Sequence, residues 1–206
     1  MNPFKIIKTL RRRRRLQSAV NNAFAGGQCR IVVGASGVIP DGWIGTDIDQ
    51  LNLLSEQDWL RYFRPGSVDS ILAEHVWEHL TPEQGLQAAT LCARFLKPGG
   101  YLRAAVPDGG HTDSQYIDYV KPGGSGAGAD DHKVLYTQES FATMFRSAGF
   151  GDVDTLEYFD NDGQFQASQW SEAEGMIHRS IRFDKRNQDG QPRYTSLIVD
   201  AKKMAA

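Results

Sequence analysis

Glu74, His75, Glu78 and His79 fall within six consecutive residues, directly after the apolar run Ser70 to Ala73. Such a run suits a buried parallel strand, so these four groups would gather at its carboxyl end, where an open α/β sheet binds its ligand. Two imidazoles and two carboxylates at such an edge can line a pocket or exchange a proton. His75 and His79, four residues apart, also resemble a metal pair, but with Glu78 between them on a strand-to-helix turn, capping and pocket lining are expected and no metal site is. A second set lies upstream. Gly34-Ala35-Ser36-Gly37 ends the β-branched run Arg30 to Val33, and Asp47 ends the run Trp43 to Thr46; a glycine-rich turn and an acid on neighbouring strand tips form a nucleoside-binding pair. A third set, His111, Asp130, Asp131 and His132, flanks a glycine-rich segment. Its histidines could act as general bases toward a hydroxyl acceptor or simply tie that segment to the core.

Local rules supply the elements that must position these groups. Thr81, Pro82 and Gln84 form a capping box with proline at the first helical position, and Leu86, Ala89, Ala93 and Leu96 form an apolar stripe that ends at Lys97-Pro98-Gly99-Gly100. Tyr101 to Val106 reads as the next strand. A helix between two strands makes them parallel, so Glu74 and Asp108 face the same edge, with Asp108 opening the acceptor side. Only eight residues, Ala35 to Gly42, separate the first two strands. A parallel crossover normally takes about a dozen or more residues, so the helix whose amides would hold a pyrophosphate is missing or cut to a turn. This counts against a dinucleotide, and no tyrosine has a lysine four residues on, as a reductase of the GASG type would need. Downstream, KPGGSGAGADDHKVLY reads as a loop too glycine-rich to pack, a mobile lid or disorder, and its flanking polar residues favour the lid. Thr137 caps a helix with Phe141, Met144, Phe145 and Ala148 on one face. Val153 to Phe159 is a strand, and Ser180 to Lys185 and Tyr194 to Ala201 read as a hairpin around Asn187-Gln188-Asp189-Gly190.

A chain of 206 residues with 40% apolar content can bury one full core. The expected organisation is a basic helical arm, residues 1–28, and one domain, residues 29–206. The net charge of −2 conceals an asymmetry: eight of the 23 basic residues, with no acid, lie in residues 1–40, leaving 15 basic against 25 acidic residues in the rest. If helical, the arm places Ile6, Leu10, Leu16, Val20 and Phe24 on one broad side. Arg11, Arg12, Arg13, Arg14 and Arg15 then lie in solvent or contact an anionic membrane surface, while nucleic acid would be repelled by the acidic body. Cys29 and Cys92 read as buried thiols of a reducing compartment, and with no signal-like or membrane-spanning run a cytoplasmic location is expected.

The segments IVVGASGVIPDGWIGTDID, SVDSILAEHVWEHLTPEQGLQAATLCARFLKPGGYLRAAVPD and HKVLYTQESFATMFRSAGF resemble, in order and spacing, class I S-adenosylmethionine-dependent methyltransferases, and look closest to the bacterial type 11 branch with its GW-x-x-x-D and EH-x-x-EHL motifs. The resemblance covers roughly residues 29 to 150. It implies a Rossmann-like, doubly wound α/β fold: a mostly parallel seven-stranded sheet with an antiparallel C-terminal strand and a shortened first crossover. It implies S-adenosylmethionine as cofactor, with Gly34, Ser36 and Gly37 at its methionine portion, Asp47 at its ribose, Asp58 and Trp59 at its adenine, and Glu74 and His75 lining the pocket. His111 and His132 are the candidate catalytic groups, no metal is implied, and the acceptor is a small molecule or glycan methylated on oxygen. Val32 and Ser36 depart from the pattern, replacing an acid and a glycine. They favour the alternative of a non-catalytic module that uses the fold as a scaffold and docks through its arm.

Overall fold

The computed structural model describes residues 3–187 and 189–205. Met1 and Asn2 of the arm, the side chains of Lys5 and Ile6, and Gln188 of the expected hairpin loop lie outside the described residues. Five helices and seven strands occur in the order α1 (Pro3–Ala25), β1 (Arg30–Val33), β2 (Ile44–Thr46), α2 (Glu56–Tyr62), β3 (Val68–Glu74), α3 (Pro82–Phe95), β4 (Leu96–Pro107), α4 (Ser114–Val120), α5 (Gln138–Ser147), β5 (Asp152–Phe159), β6 (Phe165–Ala167) and β7 (Ser196–Lys202). They form one sheet in the order β2-β1-β3-β4-β7-β5-β6. The first four of these strands run parallel, and β7 is antiparallel to both β4 and β5. No helix interrupts the chain between β1 and β2, so the shortened crossover is present as expected.

The helix signals act where they were expected. Thr81 Oγ1 accepts the Gln84 amide at 3.3 Å while Gln84 Oε1 accepts the Thr81 amide at 3.0 Å, closing the capping box at the start of α3. Thr137 caps α5, which buries Phe141, Met144 and Phe145. Of the expected stripe, Ala89, Ala93 and Leu96 are buried but Leu86 is exposed, and Gly85, Ala88, Cys92 and Phe95 complete the buried face. Small residues win because α3 is pressed against its neighbours; a Cβ on Gly85 would lie 2.8 Å from Tyr136 Oη and 3.1 Å from Met144 Sδ.

Helices α1, α2, α3 and α5 share one core with one face of the sheet. The other face is covered by Trp43 and by a strap, residues 168–195, through Trp170, Ile177 and Phe183. This corrects the hairpin expectation. Ser180 to Lys185 forms turns, not a strand, and the hairpin partner is β6, paired with β5. The strap occupies the side that the short first crossover leaves without a helix, and it is held by buried charge. Arg103, fully buried, bonds Asp200 through Nε at 2.8 Å and Nη2 at 2.7 Å, and donates from Nη1 to the Ser171 and Gly175 carbonyls, each at 2.8 Å. Glu157 accepts the Trp170 indole at 3.0 Å and the Ile181 amide at 2.8 Å.

Among the described side chains of α1, those from Ile7 onward, only Leu16 and Val20 are buried; Leu10 and Phe24 are exposed. No helix among the described residues is long and apolar enough to cross a membrane. Cys29 and Cys92 are buried and unbridged, and burial pushes both thiols up, Cys29 to about 11.

Candidate functional site

The parallel strands place the predicted groups at one edge. The order reverses beside β1, which is flanked by β2 and β3, and this is the switch point at which open α/β sheets bind ligands. A cavity of ≈ 250 Å³ opens there, lined by Gly34, Ala35, Ser36, Val38 and Pro40 of the crossover, by Val32, Leu72, Glu74 and His75 of the strand tips, and by Met176, His178 and Arg179 of the strap. Gly34 has φ +63°, and a Cβ there would lie 2.6 Å from Val76 Cγ2, so only glycine serves. Ser36 and His75 take φ values of +46° and +56°, a left-handed conformation uncommon outside glycine and often found at functional sites.

Asp47 stands beyond Ser36, off the wall of this cavity. Its Oδ1 accepts the Ser36 amide at 3.0 Å, and its Oδ2 accepts Arg12 Nη2 at 3.0 Å. Arg12 also bonds Asp49 at 2.7 Å, and Arg13 donates to the Asp49 carbonyl at 3.3 Å. Part of the arm is therefore spent on the tip of β2. Glu74 is turned to the strap, accepting the Arg179 amide at 2.8 Å and the His178 amide at 3.1 Å. Gly37, at φ +89°, has open space about it.

A second cavity of ≈ 250 Å³ adjoins the first, with His75 and Arg179 on both walls. Glu78, His79, His132, Tyr119 and Tyr194 also face it. Residues 121–136 form its far side and are packed, which corrects the expectation of a loop too glycine-rich to pack. Gly123, Gly124 and Gly126 donate to Ala129, Lys121 and Tyr119 carbonyls at 2.8–2.9 Å, and Ala129 is buried. His75 bonds Ser196 Oγ through Nε2 at 2.9 Å and sets Nδ1 2.9 Å from Glu78 Oε1. Burial opposes ionisation of Glu78, but this imidazole outweighs it, and the carboxyl sits below its ordinary range. His132 Nδ1 lies 2.7 Å from the Val120 carbonyl, which can only accept, so Nδ1 carries the proton and Nε2 keeps its lone pair.

Three predicted placements are corrected. His111 is buried away from both cavities, stacked on Tyr116 at 4.0 Å; its Nε2 donates to the Pro192 carbonyl and its Nδ1 accepts the Asp113 amide. With both nitrogens spent and its pKa lowered by burial, it is a neutral tie. Trp59 is fully buried and stacked on Phe95 at 5.0 Å, so it offers no face to adenine, and Asp58 turns back to the Asn52 amide at 3.3 Å and to Arg61. Asp108 does not open the acceptor side. It is fully buried, joins the ends of β4 and β5 by accepting the Gly110 and Phe159 amides, and is pushed up to about 6 by burial. Met176, His178 and Arg179 lie in the segment Gln169 to Ser180, which the sequence leaves open between a cover for the acceptor pocket and a cap on the core, because a strap with no helical or strand period carries no signal of where it crosses the sheet.

The family described as methyltransferase domain matches residues 49–104. No curated protein sequence matches the chain. Among solved structures, a SAM-dependent methyltransferase from Archaeoglobus fulgidus is similar at 18% identity and TM-score 0.51, over 98% of this chain and 100% of that one. A SAM-dependent methyltransferase, possible histamine N-methyltransferase, from Thermotoga maritima is similar at 13% identity and TM-score 0.51, over 85% of this chain and 81% of that one. The chain has a class I methyltransferase fold. The matched residues contain α2, β3 and α3 and most of β4.

Proposed function

We propose that this methyltransferase domain binds S-adenosylmethionine at the tips of β1, β2 and β3, and methylates an oxygen of a small-molecule or glycan-type acceptor held between His75 and His132. The observation that carries the reading is that Gly34, Ser36, Glu74 and His75, remote in sequence, line one cavity at the switch point. The residues fit the cofactor. Val32, Val38, Pro40, Leu72 and Met176 offer an apolar slot, the left-handed Gly34 lets a ligand approach the backbone, Glu74 offers a carboxylate to an ammonium group, and the helix a phosphate would need is missing. The cavity is slightly below the about 300–1,000 Å³ of small-molecule sites, and widening it past Ser36 brings in Asp47 for the ribose hydroxyls. When bound, the sulfonium supplies an activated methyl group. The chain's part is to place the acceptor oxygen in line with it and to receive the hydroxyl proton, for which the His132 Nε2 lone pair and the Glu78 carboxylate face the second cavity.

Calorimetry on ligand-stripped protein should show saturable S-adenosylhomocysteine binding; a flat titration would end the reading. Arg12→Ala should tighten that binding by up to about fivefold, since a partly exposed ion pair worth roughly 0.2–1 kcal/mol no longer has to be given up. Weaker binding in this variant would show that Arg12 helps to form the site.

The arm supports a second element of the reading, peripheral contact with an anionic membrane. Ile7 and Leu10 are exposed on the side of α1 away from Leu16 and Val20, beside Arg11 and Arg14. Deleting residues 1–11 should abolish co-sedimentation with phosphatidylserine vesicles while leaving nucleoside binding in place. Unchanged sedimentation would assign those residues to solvent.

A further inference from the structure

Glu78, His79 and His132 converge beneath the second cavity. One ligand atom from each lies within 4.8 Å of the other two, although His132 is 53 residues from His79. Glu78 is 1% exposed. Among the described residues neither of its oxygens has a hydrogen-bond partner in line, although His75 Nδ1 lies 2.9 Å from Oε1. A buried carboxylate normally collects several donors, so its free lone pairs call for an explanation.

The histidines are arranged in the complementary way. His132 gives its Nδ1 proton to the Val120 carbonyl at 2.7 Å, and His79 sets Nδ1 3.3 Å from Asp131 Oδ2. The His132 ring is held through Nδ1 by an oxygen acceptor, which leaves its Nε2 lone pair for something else; His79 Nδ1 is buried and makes no hydrogen bond even beside Asp131, so that ring too has an unpartnered nitrogen. Metal-ligating histidines are held in this manner, by a carboxylate or carbonyl that fixes tautomer and orientation. Glu78 and His79 share one turn beyond β3, and Lys133 donates its amide to the Glu78 carbonyl at 2.7 Å, pinning the 129–133 segment that brings in His132.

We infer that Glu78, His79 and His132 form a His₂Glu site for a divalent transition-metal ion such as Zn²⁺, with a remaining coordination position open to the cavity. Two imidazoles and one carboxylate are a ligand set for Zn²⁺ and its neighbours rather than for Mg²⁺ or Ca²⁺, which prefer all-oxygen sites. With bonds of about 2.0–2.1 Å, tetrahedral ligand atoms lie roughly 3.4 Å apart, so ligand atoms that stand up to 4.8 Å apart close by up to about 1.4 Å on binding. The open position faces the cavity that shares His75 with the cofactor side. With the ion bound, His132 Nε2 and Glu78 are spent on it and do not take the hydroxyl proton; the ion would in their place hold and acidify an acceptor hydroxyl. That role rests on the proposed function; that the ion binds does not.

The test is calorimetric titration of Zn²⁺ into untagged, EDTA-treated full-length protein, repeated with Co²⁺ followed by its visible absorption. One equivalent should bind. Glu78→Gln and His132→Gln should each weaken binding at least tenfold, and Asp131→Asn, which touches no metal, by about tenfold. Thermal melting in EDTA reports whether each variant is folded, and the half-buried His132 carries the test if Glu78→Gln is not. Titrations of wild type that match those of the variants, or no saturable binding, would overturn the site. S-adenosylhomocysteine binding on the same samples separates the two readings: Zn²⁺ bound without the nucleoside removes the proposed function and leaves the metal site standing.

Discussion

Asp47→Ala should raise the S-adenosylhomocysteine dissociation constant by about 100-fold or more. Two hydrogen bonds from ribose hydroxyls to a carboxylate are worth roughly 1.5–3 kcal/mol each, and 2.7 kcal/mol is already about 100-fold. The effect falls on binding because Asp47 touches none of the groups proposed to receive the proton. Its present partners define the control: removing the carboxylate also strands the Ser36 amide and releases Arg12. Asp47→Asn, which keeps an acceptor oxygen for one of these groups, should lose about tenfold and melt close to the wild type. An affinity within threefold of wild type in a folded Asp47→Ala protein would mean that the ribose is held elsewhere.

Arg103→Met should cost about 3–5 kcal/mol in urea unfolding, because it removes one partner of a buried pair and leaves the other charge uncompensated. Arg103 is fully buried, Asp200 nearly so, and the guanidinium also satisfies the Ser171 and Gly175 carbonyls. Those carbonyls belong to the strap whose next residues, Met176, His178 and Arg179, wall the cavity proposed for the nucleoside. The same substitution should therefore weaken nucleoside binding several-fold even where the protein stays folded. Replacing both members, as Arg103→Met with Asp200→Leu, should recover most of the stability, since a well-packed apolar pair costs little beside a buried ion pair. A midpoint within about 0.5 kcal/mol of wild type for the single variant would show that water reaches Asp200.

What could be read from the residues alone was mostly local. The capping box at Thr81 and the cap at Thr137 were legible because a cap is decided within four residues. The missing first helix was legible because chain length forbids it. Gly34, Ser36, Glu74 and His75 were placed correctly on the cavity wall because a strand, helix, strand unit has one handedness, which sends parallel strand tips to one edge. The face of α3 was misjudged because apolarity marks burial but not closeness of approach, and the tightest contact took glycine and alanine in preference to Leu86.

The polar residues were harder, since a histidine or an acid looks the same in a sequence whether it ties the fold or faces a ligand. His111 and Asp108 were placed at the acceptor side and proved to be buried ties; Trp59 was placed at the adenine and proved to be core. Each was decided by the partners that long-range packing brought within hydrogen-bonding or stacking distance. By itself the sequence determined the order of the elements, the shortened crossover and the sheet edge at which the cavity opens, all consequences of short-range geometry and chirality. Only the tertiary structure decided that a strap covers the second face, that Arg12 reaches Asp47, and that His132 meets Glu78 and His79. Those contacts join residues 35 to more than 50 positions apart, and no local periodicity records where a loop will cross.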